Sequence, residues 1–451
     1  MYRNLKYLAE LMLIVVLVLV SFLACSKDEK GEKLVISLKK KQVQFWFPEG
    51  LAEMHQLMAK QAESFYKKTG IQVQISHVGW EEMRNKLRLA SDAGNPPDVV
   101  EVGFDTPVVY ASMGKLKVLD EYVSRDKVDM NDYAKVLVEA GTIEGKTYGI
   151  PWIVEDRAIF YRKDIFAAAG IPSPDPNWTW EDLGKIARKI NNPPQVYGYA
   201  VMAGLNDQDT MCWFEPIMKS YGGDYFDVKY VRSLVNNEGG VKALKIYTDL
   251  VKDGVSPKDC ISYGREDIDN GFVAGKFAMV QSGPWLMKRL HKDAPQLEGK
   301  WEVASMPGAM VNGKYKKYAF SAGCLLIMFD KGSVQNEYAW EWIKYQTSPE
   351  MQKQWYELEL VMQSKSGMKG VEWKNKADSE RLQRVFIPLL DYGEAPPKVV
   401  SKQSFGPNGP IPTALQKVII EGWSAKKAAD LAAKMYEDQL KNAIYYPGKR
   451  K

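Results

Sequence analysis

The chain has 451 residues, 45% hydrophobic and 26% charged, values of a globular protein too long for one ordinary core. Its formal charge is only +5, with Lys and Arg mixed among Asp and Glu rather than gathered in a stripe, which argues against a nucleic-acid partner. Aromatic content is 12% with 13 Trp, a level that fills cores as readily as it lines a site.

In chain order, residues 1–24 read first as an export signal. Arg3 and Lys6 form a positive start, and Leu11 to Leu23 is an apolar run too short to span a bilayer comfortably. Phe22-Leu-Ala-Cys25 resembles the lipobox of bacterial lipoproteins, with Phe22 where Leu is usual. That resemblance implies that Cys25 becomes the acylated N-terminus and that residues 25–42 carry it and a tether. Cys212, Cys260 and Cys324 are then left, spaced as scattered core cysteines, and no disulfide is expected.

Val43 to Phe47 reads as a strand, and Met54, Leu57, Met58, Ala62 and Phe65 recur at helical spacing after it. Ile71, Val73 and Ile75 alternate as a second strand, a helix runs from about Trp80 to Gly94, and Asp98 to Val102 is a third strand. This alternation predicts α/β architecture with a largely parallel sheet, whose ligand rim lies at the strand ends, at Trp46 to Glu49 and at Phe104-Asp105. Thr179 opens a helix with a capping-box-like start, and Asn206 to Trp213 reads as a polar loop. Asn270 to Arg289 reads as helix, turn, strand, and then Gly283-Pro284-Trp285 opening another helix. Trp301–Met306 and Tyr318–Phe329 are strand candidates, followed by helices over Ala339–Tyr345 and Ser348–Leu358 and a helical C-terminal region.

One stretch stands apart. Gly149 to Arg162 is apolar and aromatic but carries Glu155, Asp156 and Arg157 at its centre. Three adjacent charges in a buried strand must be paired or face a gap, so the stretch predicts a strand that leaves one core and enters a second. The competing reading is a strand of one domain with an exposed charged face.

Catalytic signatures are few. His55, His77 and His291 lie far apart without ligands at metal spacing, so no metal or cofactor is expected. There is no Gly-x-Ser-x-Gly, and Gly141 to Thr147 is one residue short of a phosphate loop and reads better as a hairpin turn. Glu155 and Asp156 are strand neighbours pointing to opposite faces, a poor acid and base pair for one glycosidic bond.

Gly149-Ile-Pro-Trp152 with Phe160 to Phe166, Thr179 to Leu183, and Gly271 to Met279 with Gly283-Pro-Trp285 together resemble the extracellular solute-binding proteins of ATP-driven importers, the maltose and multiple-sugar type. The resemblance implies a two-lobed fold of type II-like periplasmic binding proteins. Its lobes would be 43–152 plus 307–360 and 153–306 plus 361–451, with crossings near Ile153–Arg157, Val303–Phe320 and Leu360–Lys365. It implies Trp285 as a sugar-stacking ring, Glu155 and Asp156 at the hinge, and Trp46, Glu49, Phe104 and Asp105 on one rim. Asp209, Met211 and Trp213 would come from a second-lobe loop and Phe405 from a late one. Of Glu155 and Asp156, one is expected on the ligand and one in a salt bridge with Arg157 or Arg162.

The implied function is a monomeric, lipid-anchored, non-enzymatic receptor that binds a carbohydrate and delivers it to a membrane permease. Two alternatives stay open: the same fold binding a glycerol-phosphate, polyamine or peptide, and a surface glycosidase or lyase. A lipoprotein adhesin is a further one.

Overall fold

The computed structural model describes residues 41–48, 52–205, 209–358, 375–389, 393–399, 409–443 and 445–447, without the side chains of residues 80, 81, 155 and 209. From the N-terminus, β1 (Gln42–Pro48), α1 (Ala52–Thr69), β2 (Gln72–Val78), α2 (Trp80–Asp92) and β3 (Val99–Gly103) alternate as the hydrophobic periods predict. Next come α3 (Lys135–Gly141), a small hairpin over 142–147, β4 (Gly149–Asp156) and β5 (Ala158–Arg162). The middle of the chain holds α4 (Trp180–Ile190), α5 (Asp209–Ser220), α6 (Glu238–Lys252), α7 (Arg265–Val273), β6 (Met279–Ser282), α8 (Trp285–Asp293) and β7 (Trp301–Ala304). The hairpin β8 (Gly308–Val311) and β9 (Lys314–Lys317) precedes β10 (Ser321–Met328), α9 (Ser333–Gln346) and α10 (Pro349–Glu357). Last are α11 (Lys376–Arg381), α12 (Pro410–Ile419) and α13 (Ala425–Lys441).

Two sheets organise the two lobes. The first has the order β2-β1-β3-β10-β4, with β1 parallel to β2 and β3, and β10 antiparallel to β3 and β4. Alternation along β1 sends Val43, Phe45 and Phe47 to one face, against Met58 and Phe65 of α1 and Trp342 of α9. Val100 and Val102 of β3 face the other way, onto Met83 and Leu87 of α2. Pro151 sits in β4, an edge strand, where its missing N–H costs no ladder bond.

The second sheet is small, β6-β5-β7, and antiparallel throughout. Its core is completed by helices. Leu183, Ala187 and Ile190 of α4, Ile217 and Met218 of α5, and Leu244 and Tyr247 of α6 join Phe160 and Val280 in one buried cluster. The capping box read at Thr179 is present: its hydroxyl accepts from the Asp182 N–H at 3.2 Å, and Asp182 accepts from the Thr179 N–H at 3.1 Å.

Between the sheets the chain needs only Arg157, since β4 ends at Asp156 in the first sheet and β5 begins at Ala158 in the second. β10 returns beside it, with Ser321 opposite Asp156. Gly323 makes this close passage possible. Its φ is +147°, and a Cβ there would lie 1.9 Å from the Ile153 carbonyl oxygen. Residues 393–399 run alongside. Glu394 exchanges backbone hydrogen bonds with Ala319 and Ser321, and Lys398 Nζ donates to the carbonyls of Glu139 and Thr142 at the end of α3. The crossing expected at Leu360–Lys365 lies outside the described residues.

One sequence expectation is corrected. Asn206 to Trp213 is not wholly loop, because α5 begins at Asp209. Met211, Cys212, Trp213, Phe214, Ile217 and Met218 are all buried, and a helix covered on every side shows no apolar stripe to read. The hairpin β8–β9 was not foreseen, although Asn312 (φ 52°) and Gly313 (φ 74°) form the Asn-Gly signature of a tight two-residue turn.

Candidate ligand site

Arg157 is the centre of the crossing. Its side chain is buried, and its backbone N–H donates to the Phe320 carbonyl at 3.3 Å, tying the two passages together. The guanidinium lies 4.3 Å from the Trp213 ring, 4.7 Å from Trp285 and 5.4 Å from Phe320. Each such cation–ring contact contributes about 0.5–2 kcal/mol. Phe320 in turn meets Phe104 edge-on at 6.1 Å, so the rim of the first sheet reaches this group. Asp156, the preceding residue, is fully buried.

Trp285 stands where β6 gives way to α8, and it is half-buried. Its Nε1–H donates to Asp269 Oδ2 at 2.8 Å, and the other oxygen of Asp269 accepts from Ser282 Oγ at 2.6 Å. Arg265 lies 3.6 Å from the same carboxylate and 5.5 Å from the indole centroid. Burial raises the Asp269 pKa, and the Ser282 hydroxyl, Arg265 and the indole N–H act against that rise.

A second buried ionic group anchors the crossing from behind. Lys219 Nζ lies 3.3 Å from Glu215 and 2.7 Å from Glu394, whose backbone pairs with the Phe320 region. Burial pushes the Glu215 carboxyl up to about 7. Burial also opposes charge on Lys219, but Glu215, Asp224 and Glu394 outweigh it and hold its pKa above the usual value.

The structure therefore gathers Trp213 and Trp285 around Arg157, reaches Phe104 through Phe320, and buries Asp156 next to Arg157 in the chain. It does not bring Trp46 there, since that ring packs on the Val100 and Val102 side of the first sheet. Asp105 is next to Phe104, but its carboxylate is engaged by Arg84 and by Thr106 Oγ1 at 3.2 Å. Trp213 belongs to the buried face of α5 rather than to a loop, and its Nε1–H donates to the Gln281 carbonyl at 3.1 Å. Arg162, one of the two bases expected to pair with the hinge acids, is bonded to Asp164 instead. Glu49 and Phe405 lie outside the described residues, as do the side chains of Glu155 and Asp209.

Sequence reading missed Phe320 and Asp269. For Asp269 there was a signal, since it sits three residues before Phe272 on the apolar face of its helix, where an acid needs a reason. Chemically, the group offers flat apolar rings beside fixed ionic groups, the combination that holds polyhydroxylated ligands. Among the described residues no cluster of His, Cys, Asp and Glu could hold a metal ion.

The sequence profile of the bacterial extracellular solute-binding proteins matches residues 48–353. A putative binding protein of Brucella abortus (strain 2308) is 30% identical over 278 residues, which cover 60% of this chain and 63% of that protein, just under two thirds of its length. The maltodextrin-binding protein of Bacillus subtilis (strain 168) is 25% identical over 394 residues, covering 84% of this chain and 85% of that protein. A solved ABC transporter solute-binding protein from Thermotoga lettingae TMO, bound with alpha-D-tagatose, superposes with a TM-score of 0.75 over 89% of this chain and 100% of that one. At 24% identity this is a likeness of fold.

Proposed function

Because the chain belongs to the bacterial extracellular solute-binding proteins, we propose that it is the receptor of an ABC importer, capturing a sugar or oligosaccharide between its lobes and passing it to a membrane permease. The observation that carries this reading is the half-buried Trp285 ring beside the interlobe crossing, fixed at its edge by Asp269 and backed by Arg157. Phe104 would approach the ligand from the first lobe, and Asp156 and Glu155 would act at the hinge. The maltodextrin-binding relative supports a saccharide over a phosphate or amine ligand.

Export and acylation at Cys25 complete the reading, with residues 25–42 as carrier and tether. We place the lobes at 43–156 plus the β10–α10 region and at 158–306 plus the C-terminal residues, because β4 stays paired with β10 as far as Asp156. The hairpin β8–β9 goes with the second lobe, because Gly308 and Tyr315 bond to the Trp178 carbonyl. The protein would act as a monomer without a cofactor and would return its ligand unaltered.

A thermal-shift and calorimetric screen of mono- and oligosaccharides tests this. Micromolar binding corresponds to roughly 8 kcal/mol. A saccharide that stabilises the wild type, with Trp285→Ala weakening it at least about tenfold, or about 1.4 kcal/mol, is the expected result. A response only to amines or phosphates, or recovery of cleaved sugar, overturns it.

A further inference from the structure

We propose that Asp269 is a positioning residue for the ligand-stacking ring: by accepting the Nε1–H of Trp285 it presets the plane of the indole before any ligand arrives. The inference rests on the sugar-binding reading above and extends it to a residue outside the ligand's reach.

Asp269 is fully buried on α7, and a buried carboxylate is retained only where its oxygens are satisfied. Here one oxygen takes Ser282 Oγ at 2.6 Å and the other the indole at 2.8 Å. A half-buried tryptophan does not need a buried acid to satisfy its N–H, because water reaches such a site at lower cost. What the carboxylate adds is direction: it holds the edge of the ring from a helix packed behind it.

Gly283 fixes the ring from below. A Cβ there would lie 2.0 Å from Cζ3 and 2.3 Å from Cη2 of Trp285, so the six-membered ring rests directly over the backbone at that position. Arg157, 4.7 Å from the ring centroid, supplies a third contact. A ring held at edge, underside and guanidinium is pre-organised, so a ligand need not supply the ordering free energy on binding.

The test uses the mature chain with maltotriose, D-tagatose and D-mannitol as probes, and the wild type as reference. Asp269→Asn keeps a carbonyl acceptor for the indole and an amide N–H to donate to Ser282 Oγ. Asp269→Leu keeps neither, and Gly283→Ala displaces the ring without touching the acid. The expected affinities are within about threefold of wild type for Asn, and at least about tenfold weaker for Leu and for Gly283→Ala. The indole Nε1–H resonance should stay protected from exchange in Asn and become exposed in Leu, a readout that general destabilisation measured by Tm would not single out. Should Asp269→Leu fail to fold, Gly283→Ala and the exchange of the indole proton in Asp269→Asn decide. Wild-type affinity in a folded Leu variant or in Gly283→Ala overturns the proposal while leaving the sugar-binding reading intact. No saccharide response from the wild type overturns both.

Discussion

Trp213 and Trp285 lie over the same guanidinium at nearly the same distance, 4.3 and 4.7 Å, yet they belong to different parts of the molecule. Trp213 is sealed inside α5, its N–H spent on the main-chain carbonyl of Gln281. Trp285 is half-buried at the start of a helix, its N–H held by a side chain. Chemical type and proximity to the crossing are shared, so burial and the nature of the hydrogen-bond partner separate a ring that builds the lobe from one that can meet a ligand.

The sharpest way to break this comparison is to truncate both rings. Trp213→Ala should cost about 3–5 kcal/mol of stability, read by denaturant unfolding, since it empties a fully buried site. Trp285→Ala should cost far less stability but should weaken saccharide binding as described above. If Trp213→Ala is tolerated while binding is lost, the division of labour is reversed.

Lys219→Met asks how far the buried ions behind the crossing support it. The change leaves Glu215 without its cation and should destabilise the chain by about 3 kcal/mol at neutral pH. Burial pushes the Glu215 carboxyl up to about 7 even with Lys219 drawing it down, so without that cation its folded value lies higher still and the variant should be most stable below the ordinary carboxylate range. It should lose stability as pH rises through the folded value of Glu215. A pH-independent loss would show that packing of the lysine stem, not charge, matters there.

The smallest effect concerns the far end of α8. His291 Nδ1 faces Glu298 Oε2 at 2.7 Å, and Nε2 faces Asp378 Oδ2 at 2.8 Å and the Asn375 side-chain amide nitrogen at 3.1 Å. Burial disfavours the imidazolium, but Glu298 and Asp378 outweigh it and raise the pKa above the usual value. Arg381 bonds to the same Asp378 and to Glu302. A raised pKa means stabilisation that is complete below about pH 6.5 and fades as pH rises through the folded value. The Tm advantage of wild type over His291→Gln should therefore shrink as pH rises above about 6.5; an advantage that grows would reverse the assignment.

Where local chemistry decides, the amino-acid sequence was sufficient. Strand and helix periods along residues 43–102, the capping box at Thr179, and three charges in the middle of Gly149–Arg162 each encode a feature through neighbours close in the chain. Short-range sterics and solvation are enough to settle such features. The helical state of residues 209–213 was not legible, because burial on all sides erases the amphipathic signal. Nor was the meeting of Arg157 with Trp213, Trp285 and Phe320, or the hold of Asp269 on the indole. Those contacts join residues up to 163 positions apart in number, from 157 to 320. Only the packing of two sheets and their helices brings them within reach, since a single sequence records which groups exist but not which of them a folded core forces together.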